Sequence, residues 1–94
     1  MSTKDFDKRL QAEIILDFPV EVAGTRYDRV TMRRPKTADS LAAAKYKGSE
    51  AERGIFLMAR LCDVSPEVIG EFDEIDSDKL GEQYKAFTGR QSEN

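Results

Sequence analysis

From Ile14 to Val22 the chain alternates. Ile14, Leu16, Phe18, Val20 and Val22 fall on one side, with Asp17, Glu21 and Ala23 on the other. Successive side chains of an extended backbone point to opposite faces, so this alternation predicts a half-buried β-strand. Pro19 has no N–H to give to a ladder, which makes the strand an edge or bulged at that point. Ala23-Gly24-Thr25 is the turn signal, with Gly24 free to adopt positive φ. A second strand runs from Tyr27 to Arg33, with Val30 and Met32 as its inward pair. The two form a β-hairpin, and Arg29, Arg33 and Arg34 guard the edge of its second strand.

After Pro35 the period becomes helical. Thr37 is the expected N-cap and Asp39 suits the first turn of a helix that runs to Lys47, with Gly48 as its stop. Ser49-Glu50-Ala51-Glu52 has the spacing of a capping box and opens a second helix, Glu50 to about Cys62. Beyond Gly54 only Arg60 in that helix is polar, which predicts a central helix buried on several sides, with Gly54 in close packing under the hairpin. Ser65 and Pro66 start a short third helix, with Val64 and Ile69 as a hydrophobic staple. Asp76 is the expected cap of the last helix, with Ile75 and Leu80 as a second staple. Leu80, Tyr84 and Phe87 make one narrow apolar stripe along it, and Gly89 ends it. Strands first and helices after is the α+β layout. The pattern predicts an N-terminal β-hairpin and three to four short helices on one small core. It divides the chain into a flexible leader (1–12), a single domain (13–89) and a disordered tail (90–94).

Composition narrows the chemistry. The chain has 94 residues, no histidine and one cysteine, Cys62. Catalytic arrangements that need imidazole are excluded, as are zinc sites built on histidine or several cysteines, and a disulfide within the chain. A net charge of −3 argues against a general polyanion binder. The charge is uneven. Gly24–Lys36 carries Arg26, Arg29, Arg33, Arg34 and Lys36 against Asp28 alone. Asp63–Glu82 carries Asp63, Glu67, Glu71, Asp73, Glu74, Asp76, Asp78 and Glu82 against Lys79 alone. Either these stretches face each other or solvent, or they serve separate partners or dock copies head to tail. The polar N-terminus has no secretory h-region, and no apolar run approaches a membrane span. The expectation is a cytoplasmic protein without membrane attachment, with Cys62 reduced.

Candidate sites are few. Asp76-Ser77-Asp78-Lys79-Leu80-Gly81 puts leucine where a calcium loop needs a ligand. Cys62 sits at a core spacing with no histidine to activate it, and reads as a buried structural thiol. Two helices joined by a glycine turn resemble a helix-turn-helix, but the second presents Ile55–Ala59 where base-reading side chains should stand, so nucleic acid is an unfavoured partner. The stripe Leu80, Tyr84 and Phe87, with Tyr46, reads either as core or as the lining of a groove for a partner helix. No cofactor is implied.

The ordered set of local motifs carries a resemblance. Pro19-Val20-Glu21-Val22 leads through the glycine turn to Arg33-Arg34-Pro35-Lys36-Thr37-Ala38-Asp39. Glu50-Ala51-Glu52-Arg53 opens an apolar helix that ends in Ala59-Arg60-Leu61-Cys62-Asp63-Val64-Ser65-Pro66-Glu67, and Leu80, Tyr84 and Phe87 close the pattern. From about Ile14 to Gly89 the chain resembles the tail assembly chaperone family of Mu-like and P2-like contractile-tailed phages and prophages. The resemblance implies a non-enzymatic protein of the host cytoplasm. Such a protein binds the helical tape-measure protein before the tail tube polymerises, then leaves, and is absent from the virion. Some relatives are also made as a longer, frameshifted product. The family offers no catalytic motif. The partner surface expected here is a groove between the final helix (Tyr84 and Phe87, with Leu80 beneath) and the hairpin, rimmed by Arg29, Arg33 and Arg34. The alternative is a small prophage-encoded regulatory or nucleic-acid-binding module.

Overall fold

A computed structural model describes residues 5–90; 1–4 of the expected leader and 91–94 of the expected tail lie outside it. Strand β1 (Gln11–Val22) pairs antiparallel with β2 (Thr25–Arg33). The turn uses Ala23 (φ 51°) and Gly24 (φ 83°), two successive left-handed residues whose twist matches that of the flanking strands. β1 begins at Gln11, so it takes in the last two residues of the expected leader, and Ala12 is buried.

Around Pro19 the ladder is irregular. Ile15 pairs with Arg29 and Val20 with Tyr27, so Leu16, Asp17, Phe18 and Pro19 stand opposite Asp28 alone. Beyond it Val20 and Val22 again pack against the core, as expected, so the alternation keeps its phase on both sides of the bulge. Within the bulge Phe18, expected inward, is 56% exposed, while Leu16 is buried, as are Ala12 and Ile14 before it.

Helices α1 (Thr37–Lys45), α2 (Glu50–Cys62), α3 (Pro66–Gly70) and α4 (Glu74–Thr88) follow. α1 is capped by Lys36 rather than Thr37. The Lys36 amide donates to Asp39 Oδ2 at 2.7 Å, and extended backbone at Tyr46 ends the helix two residues before Lys47. The capping box of α2 forms as expected. Glu52 N donates to Ser49 Oγ at 3.1 Å, and Ser49 N donates to Glu52 Oε1 at 2.7 Å. Ser65 and Pro66 start α3 as predicted. α4 is capped by Asp73, which accepts from Ile75 N at 3.0 Å, leaving Asp76 inside the first turn.

The inner face of the hairpin (Ala12, Ile14, Leu16, Val30, Met32) is covered by Leu61 and Cys62 of α2, Val68 and Ile69 of α3, and Leu80 and Phe87 of α4. Each large apolar side chain so enclosed contributes about 1.5–3 kcal/mol relative to exposure. The architecture is α+β, a hairpin followed by four helices. Among the described residues no helix is long and apolar enough to cross a membrane.

Candidate functional site

The residues expected to form a groove between the last helix and the hairpin do not come together as a surface. Leu80 is 0% and Phe87 1% exposed, because their stripe is the face α4 turns to the core; Tyr84 is half-buried beside them. Tyr46 lies elsewhere, stacked on Phe56 with ring centroids 4.4 Å apart. The expected arginine rim is largely committed to internal contacts. Arg34 donates from Nη2 to the Phe87 carbonyl at 2.7 Å and from Nη1 to the Asp7 carbonyl, with its guanidinium over the rings of Phe87 and Phe6. Arg33 forks onto Asp39 through Nη2–Oδ1 at 2.6 Å and Nη1–Oδ2 at 2.8 Å. Arg29 is the exposed member, paired with Glu13 at 3.1 Å.

Two buried carboxylates organise the surroundings, and the sequence marked each only as a residue of a helix start. Asp39 receives the Arg33 fork, Arg60 Nε at 2.7 Å and the Lys36 amide. The Arg33 guanidinium holds its carboxyl well below the usual carboxylate range, against the effect of burial. Asp76, fully buried, accepts the amides of Asp17 at 2.8 Å and Phe18 at 3.0 Å, the donors freed by the β1 bulge. Burial pushes the Asp76 carboxyl up, but the two amides and Lys79 outweigh it and leave it lowered. Lys79 Nζ reaches Asp76 at 3.2 Å, Asp17 at 3.0 Å and the Ile15 carbonyl at 2.8 Å. Together Asp76 and Lys79 satisfy the free edge of β1 over residues 15–18. Cys62 is buried and its thiol is pushed up to about 12, which leaves it protonated and inert at neutral pH.

An open apolar surface lies on α2, the helix expected to be enclosed, besides more exposed single residues such as Ile15, Leu41 and Ile75. Ala51, Ile55, Met58 and Cys62 follow one another at i, i+4, i+7 and i+11 on one face. That face is buried at Cys62, half-buried at Met58 and open at Ile55, which is 37% exposed. The N-terminal half of α2 is flanked by α1 and Tyr46, and its fully buried residues, Ala59, Leu61 and Cys62, all lie in the C-terminal half. Opposite stand Ser77, Leu80 and Gly81 of α4, with Ile69 at the closed end, and a groove of about 310 Å³ separates the helices. Leu80 is its floor.

Gly54 and Gly81 lie on opposite walls of this groove. Neither has positive φ, and a Cβ on either would meet no atom within 4 Å. The expectation that Gly54 marks close packing under the hairpin is therefore corrected. A glycine in a helix interior costs about 1 kcal/mol relative to alanine, and nothing inside the fold offsets that at either position. α4 carries exposed Glu74 and Asp78 one turn apart, outside the lining of this groove, continuing the acidic run through Glu71 and Asp73. Among the described residues no ion pair joins this acidic stretch to the basic stretch 24–36. A second, wider recess of about 660 Å³ between β1 and α4 brings exposed Ile15 and Ile75 among Glu13, Asp78, Lys79 and Glu82. The α2–α4 groove is lined by apolar and small residues with Ser77, and the β1–α4 recess mixes apolar and charged ones.

A family model described as "Phage tail assembly chaperone proteins, E, or 41 or 14" matches residues 13–89, most of the chain. Neither a curated protein nor a solved structure matches it significantly.

Proposed function

Because this chain belongs to that family of phage tail assembly chaperone proteins, we propose that it holds the tape-measure protein in the host cytoplasm before the tail tube polymerises around it, and departs without entering the virion. The role is non-catalytic. A long helical protein bound for the lumen of a tube exposes apolar stripes until the tube covers them, and a partner that shields those stripes needs an apolar trough and reversible contact. The observation that carries this reading is the open face of α2 on the side of α4, where Ile55 and Met58 stand across a groove from Ser77 and Gly81. The binding site of this proposal is that groove, with Leu80 beneath and Tyr84 farther along α4. Arg29, exposed on the hairpin, is its candidate for a peripheral charged contact. One small groove suits a transient complex better than a permanent one, since stable interfaces bury on the order of 1,200–2,000 Å².

The test is co-expression with the tape-measure protein encoded in the same phage or prophage genome. The chaperone should co-purify with it and keep it soluble, and should be missing from assembled tails. Failure to co-purify, together with salt-dependent binding to duplex DNA, would favour a nucleic-acid-binding regulator instead.

A further inference from the structure

We infer that the outer edge of β1 over residues 11–15 is a docking site for an extended segment of another protein, which adds there as a third strand and carries Lys or Arg among the side chains it turns toward α4. The phase of the hairpin fixes which backbone groups face outward. Arg34 N donates to Leu10 O at 2.8 Å, and the register continues as Gln11↔Arg33, Ala12↔Met32 and Glu13↔Thr31. Bonded and non-bonded pairs alternate along an antiparallel ladder. Ala12 and Ile14 therefore bond to β2, while Glu13 and Ile15 turn their N–H and C=O away from it. Two contacts with α4 agree with that direction: the Ile15 carbonyl accepts from Lys79 Nζ at 2.8 Å, and Asp17 N donates to Asp76 Oδ1 at 2.8 Å. The protein thus closes its own edge from the Ile15 carbonyl onward. Before that point the Glu13 N–H and C=O and the Ile15 N–H have no partner among the described residues. Beside them lies the recess of about 660 Å³. An unpaired edge with space beside it offers main-chain hydrogen bonds to one more strand.

The lining of the recess specifies the occupant. A strand added there puts alternate side chains over the flank of α4, where Ile75 is 50% exposed and Asp78 and Glu82 stand. Lys79, the one base of the lining, is already held by Asp76 and Asp17. Glu13 and Glu82 each have one exposed pairing, with Arg29 and Lys85, and Asp78 has none among the described residues. Three acids around an apolar residue favour a segment that alternates and bears positive charge. The same acids oppose a second copy, because twofold pairing of two β1 edges brings like charges face to face. No residue of this recess lines the groove between α2 and α4, so the two surfaces are tested apart.

The probe is a short capped peptide of alternating Lys and Val. Its controls are a Glu–Val counterpart and a Lys–Val peptide N-methylated throughout, which has no amide to donate. Binding to the full chain is read by calorimetry, and exchange of the Glu13 and Ile15 amides by NMR. The Lys–Val peptide should bind and slow exchange at both amides at least tenfold, and both controls should bind at least tenfold more weakly. Glu13→Pro removes an N–H that faces away from β2, so it should melt close to wild type and lose at least tenfold in affinity. Asp78→Lys/Glu82→Lys should fold and weaken binding most at low salt. Equal binding of the N-methylated peptide, or binding without new protection at Glu13 and Ile15, overturns strand addition, whether or not Glu13→Pro folds. Equal binding of the Glu–Val peptide overturns the basic occupant. Sedimentation showing a wild-type dimer that Glu13→Pro dissolves assigns the edge to a second copy and overturns the proposal. No binding of the Lys–Val peptide overturns it outright and leaves the α2–α4 groove untouched.

Discussion

Asp76 accepts the backbone amide of Asp17 at 2.8 Å across 59 positions of sequence. With the Phe18 amide at 3.0 Å, it ties the first turn of α4 to the bulge in β1, and the bulge exists because Pro19 breaks the ladder. One carboxylate thereby replaces two missing sheet partners. It also fixes the position of α4, and so of the groove wall that α4 supplies.

Replacing Asp76 should therefore be costly. Asp76→Asn turns an acceptor-only group into one with a donor that must face an amide N–H. The cost expected for a buried charged acceptor serving two amides is about 2–3 kcal/mol, which for a domain of this size lowers the melting temperature by roughly 10 °C or more. Urea and thermal unfolding of the variant measure this directly. A shift under 2 °C would mean the bulge is satisfied in another way.

Acid should destabilise the fold through the same groups. Asp76 and Asp39 both have carboxyls held below their unfolded range, so the unfolded chain takes up protons first as pH falls. Their contribution is complete above the unfolded carboxylate range and is lost as pH drops from about 5 toward the lowered native values. Chemical denaturation at a series of pH values should show stability falling over that interval, with a shallower fall in Asp39→Asn and Asp76→Asn. An equal slope in wild type and both variants would contradict the assignment.

The sequence made the element order and the N-caps of α2 and α3 readable, because those depend on neighbours, while the caps of α1 and α4 lie one and three residues before the expected ones. Ser49 and Glu52, Ser65 and Pro66, and the Ala23-Gly24 turn each declare themselves within four residues. Long-range consequences were not readable. Pro19 announced a bulge, but the number of residues it absorbs decides whether Phe18 faces in or out, and that number is set by α4 through Asp76. Asp76 looked like a cap because a cap and a buried acceptor are the same residue type at nearly the same place. The site was legible in part. The stripe of Leu80, Tyr84 and Phe87 was read correctly as one face of α4, but Leu80 and Phe87 are core and Arg33 and Arg34 are held in internal contacts, not on a shared surface. An apolar helix such as α2 gives no sign of where its cover stops, so Ile55 read as core.

Arg34 should hold the N-terminal segment in place. It reaches the carbonyls of Asp7 and Phe87, while the Asp7 amide donates to Ala86 O at 2.9 Å. Arg34→Lys keeps the charge but loses the planar fork and the stacking on Phe87 and Phe6. The expected loss is about 1–2 kcal/mol, with exchange of the Asp7 amide accelerated at least tenfold. Unchanged exchange at Asp7 would show that the segment is held without Arg34.

Cys62 should resist thiol reagents in the native state, since burial raises its thiol to about 12 and closes access. Labelling at pH 8 should proceed only at the rate of unfolding and accelerate in urea in step with it. Rapid native labelling would mean the C-terminal end of α2 opens locally.

The central claim is that the open face of α2 and the facing turns of α4 receive the tape-measure protein. Amide hydrogen exchange on the chaperone, alone and saturated with that partner, tests it most directly. The predicted result is new protection concentrated at residues 51–58 and 77–81, with the hairpin tip around Ala23 and Gly24 unchanged. Protection centred on the hairpin, or none at either helix, would contradict it.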